Sequence, residues 1–151
     1  MRQPVILLVV LVLLCACTEL GAGTGQVSKR IGEITHDPTA KEIDLSKVMS
    51  FGWDHFYYFK PGTTREEVCK FIGADRNTCG RIIRYEKVPG DHMALLFGLN
   101  GALTHSELHA LANGEFEMPL GEEGHPKSRS VFNIRRLSVG TAQDRIVLEP
   151  K

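Results

Sequence analysis

The stretch at residues 61–73, Pro-Gly-Thr-Thr-Arg-Glu-Glu-Val-Cys-Lys-Phe-Ile-Gly, constrains the fold most, because it carries a start, a buried face and a stop for one short helix. Thr64 is placed to accept the Glu67 amide while the Glu67 carboxylate reaches back to the Thr64 amide, the reciprocal capping-box arrangement. Val68, Phe71 and Ile72 follow at i, i+3 and i+4, which predicts one apolar face. Gly73 supplies the left-handed residue that ends a helix, so about two turns are expected. A helix that short has little stability of its own and must pack on something.

The N-terminus bears on compartment. Behind Arg2, Val5 to Leu14 is an unbroken apolar run. It is shorter than the roughly 20 residues a membrane-spanning helix needs and fits the apolar region of an export signal. It ends in Leu14-Cys15-Ala16-Cys17, which resembles the lipobox of bacterial lipoproteins. The resemblance implies that residues 1–16 are removed as signal peptide and that Cys17 becomes the lipidated N-terminus. An ordinary secretory signal cut nearby is the alternative. Residue 18 is Thr, not the Asp that typically retains such proteins in the inner membrane, so the expected location is the periplasmic face of the outer membrane. Stable anchoring takes more than one acyl chain, and a triacylated lipoprotein N-terminus meets that requirement. Residues 17–42 then read as lipidated Cys plus flexible tether, glycine-rich at Gly21, Gly23 and Gly25 and broken at Pro38, with a short helix around Val27 to Ile34 as its one periodic signal. Residues 43–151 suffice for a single periplasmic domain.

Charge is balanced, with 18 basic and 18 acidic side chains, so nothing in it argues for nucleic acid as a partner. With Cys15 removed and Cys17 lipidated, Cys69 and Cys79 remain. In an exported domain such a leftover pair is expected to form a disulfide. Neither lies in a Cys-x-x-Cys motif, and no His partner can be assigned, so a reactive thiol has no support.

Residues 43–49 give a mixed signal for a turn of helix, and residues 51–59, Phe-Gly-Trp-Asp-His-Phe-Tyr-Tyr-Phe, are the aromatic centre of the chain. His55 to Phe59 is predicted as a strand. Its aromatics either cover core and helix on the two faces, or Trp53 with Tyr57 or Tyr58 offers a partner surface. Arg81 to Val88 reads as a strand closed by a turn at Pro89-Gly90-Asp91. His92 to Leu99 and Ala102 to Ala110 flank Asn100-Gly101, a strong hairpin signal. A two-residue loop sets Leu99 against Ala102, Phe97 against Thr104, Met93 against Leu108 and His92 against His109. Met93, Leu95, Phe97, Leu99 and Leu108 then share the core face, and His92, Ala94, Leu96, Leu103, His105, Glu107 and His109 the other. Residues 115–130 are expected to be a loop. Val131 to Val139 and Arg145 to Leu148 are expected as edge strands or a tail within 131–151. The fold class is therefore α+β: a small antiparallel sheet of about three to five strands, with the Asn-Gly hairpin and one or two short helices packed on one face.

Chemistry has few places to reside. His92, His105, Glu107 and His109 are the one set of metal-ligand residue types converging on a predicted face, an arrangement that strand periodicity allows. It is not the His-Glu-x-x-His helix, because Glu107 lies two residues after His105. Histidines on the solvated face of a hairpin are commonplace, so no metal and no cofactor is expected. No nucleophile elbow and no phosphate-binding glycine loop followed by Lys-Ser/Thr is present. Glu66 and Glu67 serve a helix start, and Glu122 and Glu123 a solvated loop. No catalytic residue is assigned, and the chain is expected not to be an enzyme.

Two segments together resemble the SmpA/OmlA family of small outer-membrane lipoproteins, which includes an accessory of the machinery that inserts β-barrels. The Pro61-Gly62-Thr63-Thr64 helix entry through Val68 to Ile72-Gly73 is similar to the family's Gly, Met, Thr, acidic, Val, Leu-Gly pattern. Leu95-Leu96-Phe97 with Asn100-Gly101-Ala102-Leu103 is similar to its hairpin. The resemblance covers less than half of the chain. Thr63 stands where the family has Met, the aromatic strand precedes the helix instead of following it, and the cysteine pair and the tail after Ala110 are additional. It implies a non-enzymatic accessory lipoprotein docked to a periplasmic or outer-membrane protein. The alternative is an immunity lipoprotein neutralising a toxin delivered into the periplasm, for instance by a type VI secretion system. A metal or small-ligand binder through the histidine face is the weakest of the three readings.

Overall fold

The computed structural model describes residues 24–138, 140 and 144–151. The expected signal peptide (residues 1–16) and the expected lipidation at Cys17 lie outside the described residues. In chain order the elements are α1 (Gln26–Thr35), β1 (Glu42–Asp44), α2 (Leu45–Val48), β2 (His55–Phe59), α3 (Arg65–Phe71), α4 (Arg76–Ile82), β3 (His92–Leu99) and β4 (Ala102–Ala110). They continue with a 3-10 turn at Leu111–Asn113, β5 (Glu115–Phe116), β6 (His125–Pro126), a second 3-10 turn at Lys127–Arg129, β7 (Val131–Leu137) and β8 (Arg145–Pro150).

The fold is α+β, but with two four-stranded sheets where one was expected. One is antiparallel in the order β4-β3-β2-β6; the other is mixed, in the order β1-β7-β8-β5, with β5 running parallel to β8. A core of Phe56, Tyr58, Leu95, Phe97, Phe116, Phe132, Ile134 and Leu148 joins the sheets, with Phe116 edge-on to Phe132 at 5.2 Å and Phe56 to Phe132 at 6.2 Å. A second core, Tyr57, Phe59, Val68, Cys79, Ile83, Ala94, Leu96 and Leu108, fills the far face of the antiparallel sheet under α3 and α4. That sheet is thus covered on both faces. This is why β2 and β3 read as continuous apolar runs instead of alternating ones.

Four expectations change. The chain from Gln26 to Thr35 forms the helix expected around Val27 to Ile34, but as part of the fold and not of a tether: α1 buries Val27 and Ile31 in the inter-sheet core. Its ends are satisfied from distant chain, the N-terminus by the Glu107 carboxylate and the C-terminus by Arg136, whose guanidinium donates to the Thr35 and Asp37 carbonyls at 2.7 and 2.6 Å. Residues 131–151 are not a tail or an edge: β7 and β8 are the two central strands of the second sheet. Residues 81–88 are not a strand, because Asp75 caps α4 by accepting the Asn77 and Thr78 amides, both at 2.9 Å, and the helix runs through Ile82. Within the expected 115–130 loop, β5 and β6 form short strands and Phe116 is buried.

The hairpin forms where expected, with Asn100 at φ 53° and Gly101 at φ 77°, as the tight turn demands. Leu99 pairs with Ala102, but the register shifts between Phe97 and Gly98, so Thr104 is an extra residue on β4 and Phe97 faces His105. Met93 therefore pairs with His109 and His92 with Ala110, one position from the expected register. A one-residue shift exchanges the faces of a strand. Beyond the bulge His105, Glu107 and His109 turn toward the side of Met93, Leu95 and Phe97, while Leu108 joins Ala94 and Leu96 in the other core.

Candidate functional site

The histidine and glutamate residues brought inward by the bulge serve structure. Gly25, at the N-cap of α1, has no side chain to offer, and the Glu107 carboxylate takes its place: it accepts the Ser28 amide at 2.8 Å and the Val27 amide at 3.3 Å. A Cβ at Gly25 would fall 2.2 Å from Glu107 Cδ, so this approach requires glycine. His105 Nε2 donates to Glu107 at 2.9 Å, its ring lying 4.7 Å from that of Phe51. His109 is fully buried, its Nε2–H donating to the Gly114 carbonyl at 2.6 Å, while Nδ1 has no partner among the described residues. Burial disfavours the imidazolium and pushes the His109 pKa down to about 4. His92, at the strand end, lies 2.7 Å from Asp91 through Nδ1 and 3.2 Å from the Thr24 hydroxyl through Nε2. Among the described residues, no group of three or more His, Cys, Asp and Glu side chains is arranged to hold a metal ion. The four residues therefore do not share the solvated face on which a metal was considered.

Trp53, Tyr57 and Tyr58 are also placed differently from a partner surface. They are 3%, 7% and 6% exposed, so these side chains present almost nothing to a partner. Trp53 packs edge-on to Phe56 and Phe97, with Lys127 Nζ 5.4 Å from its ring. The Tyr57 hydroxyl donates to the Glu122 carbonyl at 3.2 Å and the Tyr58 hydroxyl to the Met118 carbonyl, so the pair straps residues 118–122 to the sheet. Asp54 accepts the Asn100 amide at 2.7 Å, which pins the hairpin turn and holds its carboxyl below the usual range.

Cys69 and Cys79 are joined in a disulfide, their Cα atoms 5.8 Å apart. The α3 capping box is present in both directions, and Gly73 has φ 66°. The bridge also decides which face of α3 is buried. At about 100° per residue, a face centred between Val68 and Cys69 has Ile72 near its middle and Phe71 about 110° away. Val68 is accordingly fully buried, and Phe71, expected inside, is 37% exposed. Its ring stands edge-on to Phe59 at 5.5 Å and to Tyr57 at 6.3 Å. Beside it lies a shallow depression of about 440 Å³, lined by Phe59, Pro61, Gly62, Thr63, Glu67 and Phe71.

A second cleft of about 470 Å³ opens between the end of β2 and β5, with Tyr58, Met93 and Phe116 in its wall and Lys60 and Arg145 among its charged groups. Arg145 is occupied by Glu115, at 2.6 and 3.1 Å, and by Glu117 at 2.8 Å, and these carboxylates hold its guanidinium protonated. Among the described residues no helix is long and apolar enough to cross a membrane. Phe71 is the feature the sequence did not disclose; its one signal was the proximity of Cys69, whose pairing turns the helix. Comparison with protein-family models, with curated proteins and with solved structures gives no match for this chain.

Proposed function

We propose that this chain is a lipid-anchored protein of the periplasmic face of the outer membrane, and that it acts by binding another envelope protein and not by catalysis. The observation that carries the reading is the Cys69–Cys79 disulfide, a bond that persists in oxidising compartments and is rare in the cytosol. It agrees with the export signal and with Cys17 as the lipidated residue. The use of the titratable groups points the same way: Glu107, Asp54, Asp75 and Arg136 cap helices or pin turns, and His105 and His109 are engaged within the fold. The resemblance to the SmpA/OmlA family implies the same accessory role.

Anchoring at Cys17 sets the geometry of binding. Thr24 bridges to Leu108, and the Gly25 amide donates to the Leu108 carbonyl at 2.9 Å. Residues 18–24 can span at most about 25 Å. The domain would then meet its partner close to the membrane surface instead of at the end of a long leash.

Deletion of the gene and complementation test the reading. Loss should cause a general envelope defect, read as uptake of a hydrophobic dye. The intact chain should restore the barrier and Cys17→Ala should not. Normal permeability, with killing only beside sister cells that deliver a toxin into the periplasm, would replace the accessory role by the immunity role.

A further inference from the structure

The Phe71 surface carries a more specific statement, resting on the protein-binding reading above. Phe71 is the one large apolar side chain found exposed among the described residues. An exposed aromatic is informative where it is held in place, because a rigid ring loses little side-chain entropy when a partner covers it. Phe71 meets that condition three times over. Phe59 and Tyr57 brace it edge-on, the Cys69–Cys79 bridge fixes the rotation of its helix against α4, and the Thr64–Glu67 capping box fixes the helix start. The adjoining depression, walled by Phe59 and Pro61, has room for an apolar side chain of a partner beside the ring.

Charge on one side of the ring indicates what that partner carries. Tyr57, in contact with Phe71, also donates its hydroxyl to the Glu122 carbonyl. The backbone of the acidic pair Glu122-Glu123 is therefore tethered to Tyr57, the ring that stands edge-on to Phe71. Both glutamates are exposed, and neither enters an ion pair among the described residues. Glu123 is near enough to Tyr57 to add to the burial that raises the phenol's pKa. Lys60 and Lys70, the chain neighbours of Pro61 and Phe71, are likewise exposed. An apolar anchor with an acidic border on one side favours a segment in which an apolar residue is followed by Lys or Arg.

We propose that Phe71 and the Glu122–Glu123 loop form a docking surface for a protein segment pairing an apolar side chain with a neighbouring lysine or arginine. The test uses the full chain in its own cells, with a photo-crosslinking amino acid at exposed Lys70 and, as a control, at exposed Asn133 on the outer face of the second sheet. The proposal expects a discrete protein adduct from position 70. The crosslinked peptide should contain an apolar residue next to Lys or Arg, and Phe71→Ala or the pair Glu122→Lys and Glu123→Lys should each cut the adduct about five-fold or more. The loop pair keeps the test decisive should the Phe71 variant be poorly folded. An adduct from position 133 alone would overturn this surface and leave the protein-binding reading standing. No protein adduct from either position would count against both. An adduct with a second copy of the chain or with lipid, or one unaffected by the loop charges, would overturn the proposal.

Discussion

Replacing His109 with Gln and lowering the pH from 7 to 4 should separate the wild-type chain from the variant by about 3 kcal/mol of stability. His109 is fully buried, donates through Nε2 to the Gly114 carbonyl and has Nδ1 without a partner among the described residues, so accepting a proton means burying an unpaired cation. The ionisable groups acting on it are Glu107, which favours the proton, and His92, which opposes it; burial outweighs both and brings the pKa from 6.5 to about 4. In the unfolded chain the imidazole titrates near 6.5. Between these values the unfolded state binds more protons than the folded one, so stability is complete above about pH 6.5 and is lost as pH falls toward 4. A difference of about 2.5 units at 1.36 kcal/mol each gives the figure of about 3 kcal/mol. The glutamine of His109→Gln retains a donor for the Gly114 carbonyl and does not titrate. Carboxylates held at lowered pKa, such as Asp44, Asp54 and Asp75, act alike in both proteins and cancel in the difference. Urea denaturation followed by Trp53 fluorescence at pH 7, 6, 5 and 4 measures it. Parallel stability curves for the two proteins would refute the reasoning, as would a wild-type loss confined to pH below 4.

Other substitutions probe other joints of the fold. Ile31→Ala, in a helix that reads as tether, should cost about 3 kcal/mol in urea denaturation because Ile31 is fully buried; a change near zero would show that α1 is not docked. Opening the disulfide with Cys69→Ala and Cys79→Ala should remove about 3 kcal/mol in the chain-entropy model for a separation of 10 residues, and an unchanged midpoint would contradict it. Val68→Ala should cost about 2 kcal/mol and Phe71→Ala less than about 1, the reverse of their expected rank by size, because only Val68 is enclosed. Glu107→Gln should lower stability by about 1 kcal/mol through loss of the charged cap on α1, read as faster amide exchange at Val27 and Ser28.

What could be read from the sequence was what is encoded locally. The α3 capping box and the Asn100-Gly101 turn lie within four residues each, and both formed as expected. The cysteine pair was legible because, on the expectation of export, two leftover cysteines have few alternatives to pairing. Features resting on distant partners were not. The face of α1 was disguised because its buried side includes Ser28, Gly32 and Thr35, satisfied by the Asn113 region: Ser28 accepts the Asn113 amide and Thr35 donates to the Asn113 carbonyl. Its end caps come from residues 107 and 136. The bulge at Thr104 leaves no mark in the hydrophobic pattern, yet it exchanges the faces of six residues of β4, turning Glu107 toward α1 and burying His109. In β7 the inward Phe132 and Ile134 do alternate with Asn133 and Arg135, but Arg136, which reaches back to α1, breaks the pattern. The exposure of Phe71 follows from the disulfide, so it emerges only when pairing and helix rotation are considered together.

The central claim, an envelope protein held at the membrane by its own N-terminus, is tested most directly by the intact mass of the chain extracted from cell membranes. The account predicts a chain that begins at Cys17, carries the mass of diacylglyceryl and N-acyl groups there and shows the mass deficit of one closed disulfide. A chain that begins elsewhere, or at an unmodified residue, would contradict it.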